Sequence, residues 1–244
     1  MNNQRQQTLA YVLHSRAYQE SSVIYSLFSE NVGRFSVVAK GIKGKRSQAK
    51  KAVLQPFNQL LVEYSGKSDL KTLINCEANH EADSQLGFQL KNDALICGYY
   101  ANELLIRCLP EYHEFSLLFI AYHNLLKSLS LVSEFGSALR TFEVALLTTI
   151  GIAPDWFEDI EQKPINPSAH YTYQTETGFV CVSSEPPPEN SYSGQAILSL
   201  GTGEHFPEYA RMSQKITSRL LADVLGEKPL ASRKLWLDLH QLDV

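Results

Sequence analysis

The 244-residue chain is 44% hydrophobic and 20% charged, a composition that supports folded domains and excludes a largely disordered chain. No apolar run reaches the roughly 18 residues needed to span a bilayer, and Met1 to Gln7 lacks the basic-then-apolar plan of a signal peptide, so a cytoplasmic protein without membrane contact is expected. The net charge of −4 argues against a nucleic-acid ligand only as a total: residues 1–80 carry 11 Lys+Arg against 5 Asp+Glu, whereas residues 81–244 carry 11 against 21. Charge acts locally once salt screens beyond about 10 Å, so the first third of the chain is the place to look for a polyanion site.

Residues 8–78 read as short strands. Leu9, Tyr11 and Leu13 alternate with other side chains, Val23 to Phe28 follows, and Glu30-Asn31-Val32-Gly33 is a turn. Phe35, Val37 and Ala39, then Gln59 to Tyr64, then Leu70 to Cys76 complete a set of five. Five strands in about 70 residues suit a small barrel, either an OB-fold or an SH3-like barrel. From residue 85 the period changes. Asn92 to Leu109 is helical, with Glu103 and Arg107 paired at i,i+4. Ser116 to Leu129 aligns Leu118, Tyr122, Leu125 and Leu129 on one stripe. Phe135, Leu139, Phe142 and Leu146 form another, ended by Gly151.

Prolines 154, 164, 167 and 186–188 exclude long helices from residues 152–192, where His170 to Val182 can form a hairpin around Thr175-Glu176-Thr177-Gly178. Helix returns after Pro207, with Tyr209, Met212, Ile216, Leu220 and Val224 on one face and Gly226 at its end, and a short helix runs from Ser232 to Gln241. The expected division is a barrel domain (1–80), a helical domain (81–151), an irregular β-containing region (152–206) and C-terminal helices packing on the helical domain (207–244).

The strongest chemical signal is the segment from Lys40 to Lys51, which holds six basic residues, no acid and two glycines directly after a strand. Lys40, Lys43, Lys45, Arg46, Lys50 and Lys51 are placed to neutralise phosphates and release counterions, with Arg34 on the preceding strand as a weaker member of that surface. The bland alternative is a solvated loop. Aromatic rings are the second ingredient of single-strand binding, and the barrel offers Tyr11, Tyr18, Tyr25, Phe28, Phe35, Phe57 and Tyr64, most of which must be core. Arg211, Lys215 and Arg219 share one side of a helix and form a possible second polyanion contact, or an ordinary wet face. No nucleophile, metal-protease or nucleotide-binding signature is present, so no catalytic residue is assigned and a non-enzyme is expected.

The chain resembles the bacterial RecO family of recombination mediators. The resemblance rests on Tyr11-Val12-Leu13-His14-Ser15-Arg16, Gly33 to Gly41, Leu54-Gln55-Pro56-Phe57, Asn102-Glu103-Leu104-Leu105, Ala138 to Glu143 and Gly226 to Arg233, six segments in order over about 220 residues. It implies an α+β architecture: an N-terminal five-stranded OB-fold barrel, then an α-helical domain with a small β-containing insertion. It implies binding of single- and double-stranded DNA, annealing of complementary strands, a complex with RecR, and contact with the acidic tail of single-strand DNA-binding protein (SSB), together helping to load RecA. Many members carry a four-cysteine zinc site before the C-terminal helices. Here that region supplies Cys181 and His170, so no metal or other cofactor is expected.

An acidic tail ending in apolar residues needs a cation beside an apolar pocket. Residues 81–206 hold 16 Asp+Glu against 5 Lys+Arg, which singles out Arg140 beside Leu139 and Phe142. The alternative for Arg140 is an internal salt bridge to Glu143 or Glu103. The alternative for the whole chain is a protein–protein adaptor whose barrel binds no nucleic acid.

Overall fold

The computed structural model describes residues 5–44, 47–79, 88–131 and 135–241. Five strands, β1 (Gln6–Tyr18), β2 (Ser22–Ser29), β3 (Gly33–Ala39), β4 (Gln59–Ser65) and β5 (Leu70–Ala78), close into a barrel in the order β1-β2-β3-β5-β4. A short helix, α1 (Gln48–Val53), joins β3 to β4. β3 and β5 pair in parallel and all other neighbours are antiparallel, which is the OB arrangement. Alternate residues fill the interior, among them Ala10, Val12, Tyr25, Leu27, Phe35, Val37, Leu60, Val62 and Leu73.

Two bulges shape the barrel, and each leaves a carbonyl that a side chain satisfies. In β1, Val12 faces Leu27 and His14 faces Ser26, so Leu13 has no partner on β2, and its carbonyl accepts from Asn102 Nδ2 at 3.0 Å. In β5, Asn75 faces Glu63 and Leu73 faces Tyr64, and the Ile74 carbonyl accepts from Lys50 Nζ at 3.2 Å. Both follow from the need to pair a backbone oxygen that the ladder has released.

The chain forms two compact units, one comprising residues 1–133 and 229–244, the other 134–228. In the first, the barrel is packed against α2 (Asn92–Cys108) and α3 (Ser116–Leu131), not set apart from them. The reason is that β1 and β2 are apolar on the outside as well. Tyr11 and Phe28 point away from the barrel core and meet Phe119 at 5.5 and 5.6 Å between ring centroids, and Tyr11 meets Tyr122 edge-on at 5.2 Å. Asn102 joins the layers, donating to Leu13 and accepting from the Tyr122 hydroxyl at 2.5 Å. Leu118, Tyr122, Leu125 and Leu129 are all buried, as the stripe required.

The last helix, α7 (Ala231–Gln241), packs on α2 in this same unit. Its N-terminus is held by Glu103, whose carboxylate accepts from Ala231 N (2.8 Å), Ser232 N (3.0 Å) and Ser232 Oγ (2.7 Å), while Arg107 lies 3.9 Å away. An anion at free N–H groups satisfies donors that the helix cannot pair internally. Burial alone would raise the Glu103 carboxyl, but the hydrogen bonds from Ser232 and Ala231 and the Arg107 charge outweigh it and hold the group below its ordinary value. Its stabilising effect is therefore present above the ordinary carboxylate range and is lost as the pH falls through the lowered folded value. Amide protection in α7 is expected to drop on acidification in the parent and to be low at all pH values in Glu103→Leu. A parent-like profile in that variant would remove Glu103 from this account.

In the second unit, α4 (Gly136–Thr149) and α5 (Gly194–Thr202) pack with α6 (Ala210–Leu225), beside a small sheet of order β7-β6-β8. β6 (His170–Gln174) and β7 (Gly178–Cys181) are the expected hairpin, and β8 (Tyr192–Ser193) adds a strand that sequence periodicity did not indicate. The buried face of α6 is rotated from the expected stripe: Ser213, Ile216, Thr217, Leu220 and Leu221 are inside, and Val224 is 37% exposed. Gly151 and Gly226 follow α4 and α6 with positive φ of 77° and 62°, which suits their place as helix stops.

A candidate nucleic-acid interface

The basic segment is built into the barrel rather than hanging from it. Ile42, 1% exposed, plugs the barrel core between Lys40 and Lys43. The Lys43 amide donates to the Ser21 carbonyl (3.3 Å), and Lys43 Nζ donates to the Gln19 carbonyl (2.8 Å), so the loop is fastened to the β1–β2 turn. Ser47 Oγ donates to the Gly41 carbonyl (2.9 Å) and closes the loop on itself. Gly41 has a φ of 67°, a backbone state that a glycine adopts without steric cost. Lys40 and Lys43 are exposed at this rim, Lys50 and Lys51 follow half-buried on α1, and Lys45 and Arg46 lie outside the described residues. Burial pushes the Cys76 thiol beneath this helix up, against the pull of Lys50, so it stays a neutral core group.

Of the seven barrel aromatics, Tyr18 is 38% exposed, and Tyr11, Tyr25, Phe28, Phe35, Phe57 and Tyr64 are at most 5% exposed. Tyr18 ends β1 at the same turn that holds Lys43. Arg16, two residues before it, is exposed and was given no role on sequence grounds, although it closes a family-like segment. The signal that would have found it is the alternation His14, Arg16, Tyr18 on one side of a strand.

Arg34 stands apart from this rim. Its Nε donates to the Leu109 carbonyl (3.0 Å) and its Nη1 to Glu111 (2.9 Å), so its guanidinium fastens the segment after α2 to β3. The Arg34 carbonyl accepts from the Tyr112 amide (2.9 Å) in the same contact, and the Tyr112 hydroxyl donates to the Asp69 carbonyl. The expectation of a free cation at Arg34 is corrected accordingly.

The structure also separates the members of the other two proposed sites. Arg140 is 8% exposed and makes a two-point contact with Glu143, Nε to Oε2 at 2.7 Å and Nη2 to Oε1 at 2.5 Å. Phe142 is 1% exposed and Leu139 is half-buried. Of the two readings open for Arg140, the structure has the internal salt bridge to Glu143 and not a guanidinium left open for a tail carboxylate, as a buried charge on an otherwise apolar face requires. On α6, Arg219 donates to Asp223 (2.5 Å) and to Thr175 Oγ1 (2.9 Å) and lies over the Tyr173 ring, whereas Arg211 and Lys215 are exposed. The three do not form one open cationic face.

The residues around the small sheet do not fit a four-cysteine metal group. Cys181 faces Tyr171 across the hairpin, and the His170 carbonyl accepts from the Val182 amide. The neighbouring turns are closed by carboxylates: Asp155 Oδ1 accepts from the amides of Phe157 and Glu158, and Asp159 Oδ1 from those of Glu161 and Lys163. Among the described residues no three His, Cys, Asp or Glu side chains are grouped to hold a metal ion, and no helix is long and apolar enough to cross a membrane.

The family model described as Recombination protein O N terminal matches residues 1–81, and the one described as Recombination protein O C terminal matches residues 91–233. The chain is 38% identical over 229 residues to the DNA repair protein RecO of Alteromonas mediterranea, covering 93% of this chain and 95% of that one. It is 39% identical over 247 residues to the DNA repair protein RecO of Nitrosospira multiformis, covering 99% of each. The protein of the same name from Yersinia pestis is 37% identical over 233 residues, covering 93% of this chain and 92% of its own.

Proposed function

The chain belongs to the RecO family of DNA repair proteins, and from that premise we propose that it is a non-enzymatic recombination mediator that binds single- and double-stranded DNA through its barrel. The carrying observation is the anchored basic loop. Ile42 in the core and Lys43 on the β1–β2 turn hold Lys40 and Lys43 at the rim of an OB barrel, beside its exposed tyrosine. The β1–β2 loop is one of the two loops with which OB-folds meet oligonucleotides.

A surface that neutralises phosphates without reading bases serves single strands and duplexes alike. By lowering the repulsion between two strands it also promotes their annealing. Its proposed partners are RecR and the acidic SSB tail, through which it would help to load RecA, and its proposed location is the bacterial cytoplasm at the nucleoid; membership of the family is what supports both. With Arg140 closed by Glu143 and Arg219 by Asp223, Arg211 and Lys215 are the cations from those two groups left exposed for a tail carboxylate.

Titration of labelled oligonucleotides with the full chain tests the reading. Binding to both strand forms that weakens steeply with salt is expected. Absence of binding at low salt would instead make the barrel a protein-docking module.

A further inference from the structure

β1 changes character at its bulge. Before it, Ala10 and Val12 fill the barrel and Tyr11 lies under α3. After it, the strand from His14 to Tyr18 is exposed at every residue and pairs with β2. The register assigns the faces. Ser15 is opposite Tyr25 and Ala17 opposite Val23, both turned toward the barrel core, so His14, Arg16 and Tyr18 stand on the outer side, across from Ser26, Ile24 and Ser22. Alternate side chains on a strand are about 6.6–6.8 Å apart. The row therefore presents an imidazole, a guanidinium and a phenol ring at regular intervals.

A solitary exposed tyrosine on a hairpin is ordinary. Three observations set this one apart. Tyr18 is exposed where the six other barrel aromatics are buried. Arg16, beside it on the same face, makes no ion pair among the described residues. The turn that Tyr18 enters is the one whose Gln19 and Ser21 carbonyls hold Lys43, so the row runs directly into the basic loop.

We propose that His14, Arg16 and Tyr18 form a base-stacking platform for single-stranded nucleic acid, with Tyr18 stacking on an unpaired base and Arg16 on the next, an inference that rests on the barrel being the DNA-binding module. Every base offers a π-face to an aromatic ring, and a guanidinium adds a cation–π contact. In a duplex those faces are already covered by neighbouring bases. The basic loop thus holds phosphates of either form, and the outer row of β1 discriminates in favour of single strands.

The test compares the parent with Tyr18→Ala, Tyr18→Leu and Tyr18→Trp in the full chain, on a labelled single strand and on the matching duplex. Tyr18→Ala and Tyr18→Leu are expected to lose about 5- to 150-fold in single-strand affinity, the range for removing one stacked aromatic. Duplex affinity and the salt dependence of both should stay at parent values, because no charge is removed. Tyr18→Trp should retain single-strand binding, and its added indole should be quenched by the strand. Tyr18→Ala binding the single strand as the parent does, or losing both forms equally, would overturn the platform. A parent that binds neither form would overturn the DNA-binding reading itself, so the two failures are distinct.

Discussion

Gly33→Ala is expected to destabilise the first unit by about 2–5 kcal/mol, from a left-handed backbone cost of about 1–2 and an overpacking cost of about 1–3. Gly33 opens β3 with a φ of 74°, and a Cβ built there would sit 1.6 Å from the His113 carbonyl oxygen. That oxygen belongs to the segment that Arg34 holds through Leu109 and Glu111 and that returns a hydrogen bond from Tyr112. Relief of the clash therefore displaces either the strand or the whole contact. Gly41→Ala is the internal control, because Gly41 has a similar φ of 67° and nothing within 4 Å of its Cβ position. Only the backbone cost applies there. Urea unfolding of the two variants separates the terms, and a Gly33→Ala loss no larger than that of Gly41→Ala would contradict the close contact.

Arg140→Ala is expected to cost the second unit about 3–5 kcal/mol, because it breaks a buried ion pair whose carboxylate, Glu143, is 1% exposed. Removing both charges is a different experiment. Arg140→Met with Glu143→Leu should recover most of the loss, since replacing a buried ion pair by apolar side chains of similar volume is often neutral or stabilising. The order of stabilities, parent and double variant above the single, is read from thermal unfolding. A single variant as stable as the parent would show that the pair contributes nothing. The result also bears on partner binding: a lost interaction in Arg140→Ala reports on an unfolded unit before it reports on a docking site.

The strands of the barrel were legible because Phe35, Val37 and Ala39, or Leu60 and Val62, alternate as half-buried strands must. The stripe of α3 was legible for the same reason at a period of 3.6, whereas α6 buries a face rotated from its apolar stripe. What sequence periodicity could not show is that Tyr11 and Phe28 face outward to a second apolar layer, because an apolar residue on either face of a strand looks the same. The helices were therefore assigned to one bundle, whereas α2, α3 and α7 fall in the barrel's unit and α4 in the other.

The basic loop was legible as charge density, and its anchoring was not, since Ile42 between lysines gives no hint that it reaches the core. Arg34 misled, and Arg140 stayed open between a tail and Glu143, because a cation at the edge of an apolar stripe looks the same whether its carboxylate is a ligand's or its own chain's. Arg16 was passed over, and Tyr18 could not be told from the buried aromatics, because a polar strand end resembles a loop until the register of β1 on β2 assigns its faces.

In the proposed function the barrel rim neutralises phosphates. Its decisive check is the salt dependence of single-strand binding by the parent and by a variant with Lys43, Lys45, Arg46, Lys50 and Lys51 changed to alanine. At roughly 0.7 counterions released per contact on single strands, the slope of log K against log salt should flatten by about 3–4, with a large loss of affinity at low salt. A folded variant that keeps the parent's slope and affinity would contradict the claim and move DNA binding off the barrel rim.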